Sequence, residues 1–440
     1  MRRTLSAVLG LALLGGSAVP LAGQTPDSVL IRRALRLHRA VPMMDGHNDL
    51  PWRIRNRGGE DFTPYTDSRG MMRLDSLDIG RDQPGMHTDI RRLRAGGVGG
   101  VFWSAYVPNQ MVDGGSARFA LEQMDMVHRL VERYPRDLAF ARTADDIVQA
   151  QRQGRIASLI GIEGGHAIEN SLGVLRQCYD AGARYLTLTH NTTLAWADAG
   201  SDTATHNGLT AFGREVVREM NRLGMLVDLS HTSDSVTAQA LRISESPVIF
   251  SHSSARAIAD HRRNVPDELL RLVPANGGIV MVNFLCDFVS PAMAARGNAR
   301  AAASRGFRER FGPANDTAGF RAALAAWDSA NPPAPRPAVS DVADHVDHIR
   351  QVAGIDHVGY GSDFDGIDCA PQGLEDVSRF PALTAELLRR GYSDEDVRKV
   401  IGLNLLRVMR QAEAVARRLQ RERGPGTATL YDLDSTGVRP

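Results

Sequence analysis

Short apolar runs recur along the chain, separated by stretches in which apolar residues return every three or four positions. Eight runs read as strands: MMDGH (43–47), GVFWSAYV (100–107), ASLIGIEG (157–164), YLTLTH (185–190), MLVDLSH (225–231), PVIFSH (247–252), GIVMVNF (278–284) and HVGYGSDF (357–364). Their apolar residues are nearly continuous, as in strands buried on both faces of a parallel sheet. Between them, segments such as SARFALEQMDMVHRLVERY (116–134) and TAFGREVVREMNRLG (210–224) have the spacing of amphipathic helices. Strand–helix alternation predicts an α/β fold, and eight units favour a closed (β/α)8, TIM-barrel-like domain over an open doubly wound sheet.

The pattern breaks between residues 288 and 339, where PAMAARGNARAAASRGFRERFG gives way to a proline cluster at 332–337. This reads as a helical insertion after the seventh strand, ending in a stiff connection. A last helix is expected over 393–422, with Ser393 as its cap and acids in its first turn. The tail from Arg423 has no periodicity, so residues 423–440 are expected to be loosely held. At the other end, two arginines, an apolar run from Leu5 to Leu14 and small residues up to Gly23 read as a signal peptide, 1–23. The run falls short of the roughly 20 apolar residues of a membrane span. Gln24 stands where a lipoprotein signal would need cysteine, so cleavage without lipid attachment is expected. The domain is therefore placed at 24–422, and the protein is expected to be exported, periplasmic or secreted.

Composition narrows the partners. A 43% hydrophobic content over 440 residues suffices for a large core, and a net charge of +1 gives no electrostatic reason to expect nucleic acid or an anionic membrane. Three cysteines, Cys178, Cys286 and Cys369, allow at most one internal disulfide, and their spacing does not say whether one forms. The only lysine is Lys399.

Polar residues gather at the C-terminal ends of six of the eight strands. Asp45, His47 and Asp49 end the first, Glu163 the third, His190 the fourth, His231 the fifth, His252 the sixth and Asp363 the eighth. A barrel builds its active site on this face, where the loops after the strands converge. Imidazole and carboxylate without thiolate suit zinc first, with manganese, cobalt or iron also compatible. His47, Asp49, Glu163, His231 and His252 exceed what one tetrahedral catalytic ion takes, which points to two metals sharing a bridge. Lys399, in the C-terminal helix pattern, cannot be a carbamylated bridge, so Glu163 is the expected one. Asp45 and His166 are read as supports behind the ligands. His38, His128, His345 and His348, on predicted helices, are read as structural.

These residues lie in motifs that resemble the membrane dipeptidase (renal dipeptidase) family of metallopeptidases: DGHNDLPW (45–52), GIEGGH (161–166), RYLTLTHNTTLAWAD (184–198), LVDLSH (226–231), PVIFSHSSARAIADHRRNVPDELLRLV (247–273) and HVGYGSDFDG (357–366). The resemblance implies a metal-dependent hydrolase of dipeptides with two zinc ions on a (β/α)8 barrel. It implies that His47 and Asp49 hold one zinc, His231 and His252 the other, and Glu163 both, with a hydroxide or water between them. His190 would contact the substrate carbonyl and the developing oxyanion, and Arg263 in HRRN would grip the dipeptide carboxylate. Asp363 would meet the substrate amine and carry the proton. A homodimer is expected.

Phe288 stands where the family leads one to expect a tyrosine, and the sequons at Asn191 and Asn315 are not read as glycosylated. One alternative is a two-metal barrel amidohydrolase acting on N-acyl amino acids, cyclic amides, lactones or β-lactams. Another is a non-catalytic scaffold that keeps the barrel. Arg263 separates the first, since a carboxylate clamp suits free dipeptides; the retained ligand set argues against the second.

Overall fold

Every pairing in the sheet is parallel, as the doubly buried strands require. The computed structural model describes residues 27–56 and 77–434; the expected signal peptide lies outside them. The strands are β1 (Met43–Asn48), β2 (Val98–Tyr106), β3 (Leu138–Phe140), β4 (Ile156–Glu163), β5 (Ala183–Thr187), β6 (Leu226–Asp228), β7 (Ile249–Phe250), β8 (Ile279–Val282) and β9 (Val358–Tyr360). Their order around the sheet is β1-β2-β4-β5-β6-β7-β8-β9. The ends approach closure just beyond β9, where Asp49 N donates to Phe364 O (2.8 Å) and Asp363 N to His47 O (3.0 Å). Eight parallel strands thus form a nearly closed barrel.

All eight expected strands are present. The ninth, β3, pairs with the first residues of β4, below the stretch of β4 that pairs with β5. Three residues, Leu-Ala-Phe, are too few to show a period. Helices Ser116–Arg133 and Ala211–Leu223 match their expected ranges closely. The expected helix 393–422 is broken by one π-helical turn, Lys399–Leu403, between Asp394–Arg398 and Asn404–Glu422. Asn404 follows that turn and donates to Ile355 O and Val358 O (2.8 and 2.9 Å), which ties the helix to the start of β9. Lys399 pairs with Asp356 just before β9, at the end of the barrel away from the strand-end carboxylates.

Between β8 and β9 the chain forms a helical hairpin, Pro291–Phe311 and Thr317–Ala330. Ser290 and Asp316 cap its helices, and Asp328 binds both Arg296 (3.0 Å) and Arg300 (2.7 Å) to hold them together. Only Met293 and Ala294 are buried in these helices, so the hairpin stands largely outside the core. Cys286 and Cys369 form a disulfide across the same excursion, and Cys178 is free and buried.

The tail is better anchored than its composition suggests. Gly426 N donates to Glu219 Oε2 (3.1 Å). The Asp434 carboxylate accepts from Thr210 Oγ1 (2.5 Å) and Ala211 N (3.0 Å), at the start of helix Ala211–Leu223. A carboxylate there satisfies unpaired amides and faces the positive end of the helix dipole.

Candidate metal centre

The barrel brings the strand-end residues to one point around Glu163, which leaves the end of β4 and is buried. Its two oxygens face different neighbours. Oε2 lies 3.6 Å from His47 Nε2; Oε1 lies 3.0 Å from His231 Nε2, 3.4 Å from His252 Nε2 and 3.7 Å from His190 Nε2. Asp49 Oδ2 and Asp363 Oδ1 approach His47 Nε2 at 3.1 and 4.0 Å. Three groups of these side chains have donor atoms close enough to hold an ion: His47, Glu163 and His252; Glu163, His190 and His231; His47, Asp49 and Asp363.

The hydrogen bonds behind the rings decide which nitrogens are free. His231 Nδ1 faces Asn191 Oδ1 at 3.0 Å, so that nitrogen carries the proton. His252 Nδ1 lies 2.7 Å from Ser251 Oγ, and Ser251 donates its own proton to Asp228 Oδ2 (2.7 Å). His252 therefore also carries its proton on Nδ1. The two Nε2 lone pairs meet at 3.0 Å, with Glu163 Oε1 beside them. Lone pairs so placed repel unless a cation lies among them. Asp49 Oδ1 adds a buried carboxylate oxygen with no hydrogen-bond partner among the described residues. Such an atom is costly unless something pairs with it. The donor set therefore fits a metal.

The protein's own charges support the same conclusion. Burial holds the His231 and His252 imidazoles well below their usual range, and nearby Arg263 adds to the effect. Burial likewise takes His190 down to about 4, so all three rings are neutral, the form that can ligate. His47 differs: burial lowers it, but Tyr185, Asp49 and Glu163 outweigh burial and raise it well above the usual value. Asp363 is pushed well up by burial, with Asp49 and Glu163 adding to the shift.

His47 Nδ1 is 2.8 Å from Tyr185 Oη. The tyrosine ring lies over Gly161 of β4, where a Cβ would fall 1.9 Å from its Cζ, so only glycine leaves room. Asp45 accepts from Ser362 N (2.8 Å) and Oγ (2.7 Å), and Asp363 Oδ2 accepts from Asn283 Nδ2 (2.9 Å). His190 Nδ1 lies 3.1 Å from Asn109 Oδ1, and the ring stands edge-on to Tyr106 at 4.9 Å. His166 Nε2 donates to Val107 O (3.1 Å).

Arg263 comes in from the loop after β7. It is buried, donates to His252 O (3.4 Å) and lies 5.2 Å from the Phe288 ring, with no ion pair among the described residues. Burial lowers it to about 10, although Asp363 and Glu163 favour its charge. His38, His128, His345 and His348 bond to Thr384, Ala181 O, Val289 O and Asp267, away from this cluster.

Sequence reasoning gave no role to Tyr185, Asn109, Asn191, Asp228, Ser251 or Asn283. Asp228 was the most detectable, being an acid inside the apolar run of MLVDLSH; Asn191 was noticed only as a sequon.

Comparison with known proteins agrees with this geometry. The model of the membrane dipeptidase family (peptidase family M19) matches residues 31–423. Dipeptidase verJ of Clonostachys rogersoniana is 41% identical over 401 residues, 89% of each chain. The probable dipeptidase PvdM of Pseudomonas aeruginosa superposes with a TM-score of 0.75 at 22% identity, over 88% of this chain and all of that one. A metallopeptidase of Rhodobacter sphaeroides, solved with a phosphinate mimic of the dipeptide L-Ala-D-Ala, has a TM-score of 0.65 at 26% identity, over 84% of this chain and 99% of that one. A match that runs from the first helix past the last strand leaves one assignment: the chain belongs to the membrane dipeptidase family and is a metallodipeptidase.

Proposed function

We propose that the chain is an exported dizinc dipeptidase. His47 and Asp49 would hold one ion and His231 and His252 the other, with Glu163 between the two pairs. Bound there, the ions supply Lewis acidity, which acidifies water and polarises an amide carbonyl. The protein does the rest. Asp363, pushed up in its buried place beside Asp49 and Glu163, takes a proton from the attacking water and returns it to the leaving amine. His190, its ring fixed by the contact of Nδ1 with Asn109 Oδ1, faces the carbonyl oxygen from the other side. Tyr185, Asn191 and Ser251 fix the rings of His47, His231 and His252.

The observation that carries the substrate reading is Arg263, a buried guanidinium beside the centre with no ion-pair partner among the described residues. Burying that charge is unfavourable without an anion, and its planar fork suits the free carboxylate of a dipeptide. The phosphinate mimic of L-Ala-D-Ala on the Rhodobacter sphaeroides metallopeptidase favours acceptance of a D residue at the C-terminal position here. The Cys286–Cys369 disulfide favours an oxidising compartment and so export.

The test is Arg263→Ala assayed on a dipeptide and on its C-terminal amide. Dipeptide KM should rise about 100-fold, in line with a lost charge-assisted bidentate pair, with the amide unaffected. Unchanged dipeptide KM and kcat would sink the proposal and favour a neutral substrate such as a lactone.

A further inference from the structure

Beyond the first turn of the centre lies a clasp that no step above uses. His87 N donates to Asp365 Oδ1 (2.7 Å), and Asp365 N donates back to His87 Nδ1 (2.9 Å). The two residues are 278 positions apart. Because Nδ1 accepts, the imidazole proton sits on Nε2. The ring also packs at 5.3 Å against Phe364, which is fully buried.

Asp365 belongs to a turn under conformational constraint. Asp363 and Asp365 both lie in the left-handed region, at φ 63° and 67°. Non-glycine residues stay there only where the surroundings over-determine them. The next residue, Gly366, touches the centre directly: a Cβ there would fall 2.2 Å from Asp49 Oδ2 and 2.7 Å from Asp363 Oδ1. Any shift of this turn therefore moves Asp363 relative to Asp49.

The platform under His87 is stiff. Arg92 donates to Asp89 Oδ2 (2.7 Å), Met86 O (2.7 Å) and Gln83 O (3.1 Å), folding residues 83–92 around one guanidinium. His87 O accepts from Val377 N (3.2 Å). Its neighbour Thr88 accepts from Asn48 Nδ2 (2.9 Å), so the same platform reaches the end of β1 beside Asp49.

We propose that His87 is a positioning residue: its reciprocal hydrogen bonds with Asp365 hold the 363–366 turn so that the Asp363 carboxyl stays over Asp49 and His47. The inference rests on the reading of Asp363 as the proton carrier. His87 is not among the side chains gathered around Glu163, and its influence passes through the backbone of Asp365 and Gly366.

The experiment compares three variants of the metal-loaded enzyme: His87→Leu, His87→Asn and Asp363→Asn. Leucine keeps bulk but offers no acceptor; asparagine places Oδ1 where Nδ1 was. His87→Leu should lower kcat about 10- to 100-fold, the usual range for a support behind an active group, with KM and metal content nearly unchanged. His87→Asn should restore kcat to within a few-fold of the parent. Wild-type kcat in His87→Leu overturns the inference. So does an equal loss in the Leu and Asn variants in step with a lower melting temperature, which marks a purely structural residue. An inactive Asp363→Asn beside a fully active His87→Leu overturns this inference alone. An active Asp363→Asn overturns the role of Asp363 and this inference with it.

Discussion

The two oxygens of Glu163 divide the centre into unlike halves. On the Oε2 side stand one imidazole and two further carboxylates, His47, Asp49 and Asp363; on the Oε1 side stand three imidazoles, His190, His231 and His252. The local charges follow. His47 is raised and its three counterparts are lowered. Support differs as well. His47 leans on a neutral phenol, whereas His252 leans on Ser251 and, through it, on the buried carboxylate of Asp228. One half gathers negative charge and Asp363, the proposed proton carrier. The other gathers neutral donors with a carboxylate behind them. The division suits a reaction in which a proton leaves water on one side while an amide carbonyl gains charge on the other.

The largest break in that comparison comes from Glu163→Gln, which removes the one group both halves share. Activity should fall about 1000-fold or more, and metal content should drop for both halves together. Loss of a single equivalent in metal analysis would show that the halves bind independently. Next in size is a pair of conservative changes, Tyr185→Phe and Ser251→Ala. Each should weaken metal affinity about 10- to 100-fold, but each on its own side. Chelator titration should then show two release steps whose order exchanges between the variants; identical curves would deny the asymmetry. The smallest effect on activity is expected from the double change of Cys286 and Cys369 to serine. It should cost about 2–4 kcal/mol of stability, read from denaturant unfolding, and only a few-fold in kcat. Because Cys369 follows the loop that carries Asp363, any loss should appear with the carboxylate half and leave the imidazole half intact.

The barrel was legible because burial on both faces leaves a mark on each strand by itself. β4 and β7 lie in nearly continuous apolar runs, and the chemistry sits where Glu163 and His252 interrupt those runs. The supports were not legible for the opposite reason. Tyr185 reads as an ordinary aromatic in a strand, and only the curvature of the barrel brings its hydroxyl to His47, 138 positions away. His87 and Asp365 likewise meet only after folding. The anchor of residues 423–434 is not legible because one carboxylate, Asp434, ties them to a helix more than two hundred residues earlier, a contact with no periodic trace. The disulfide was undetermined because spacing among three cysteines does not choose a pair.

The bridge between Cys286 and Cys369 closes a loop of 83 residues, and the exposed helical hairpin 291–330 lies wholly inside it. A protease that nicks the hairpin would therefore produce two polypeptides still joined through sulfur. The strand that leads to Asn283 and the strand that leads to Asp363 would stay side by side after the cut. Cleavage within that exposed segment would then leave the two parts of the barrel held together.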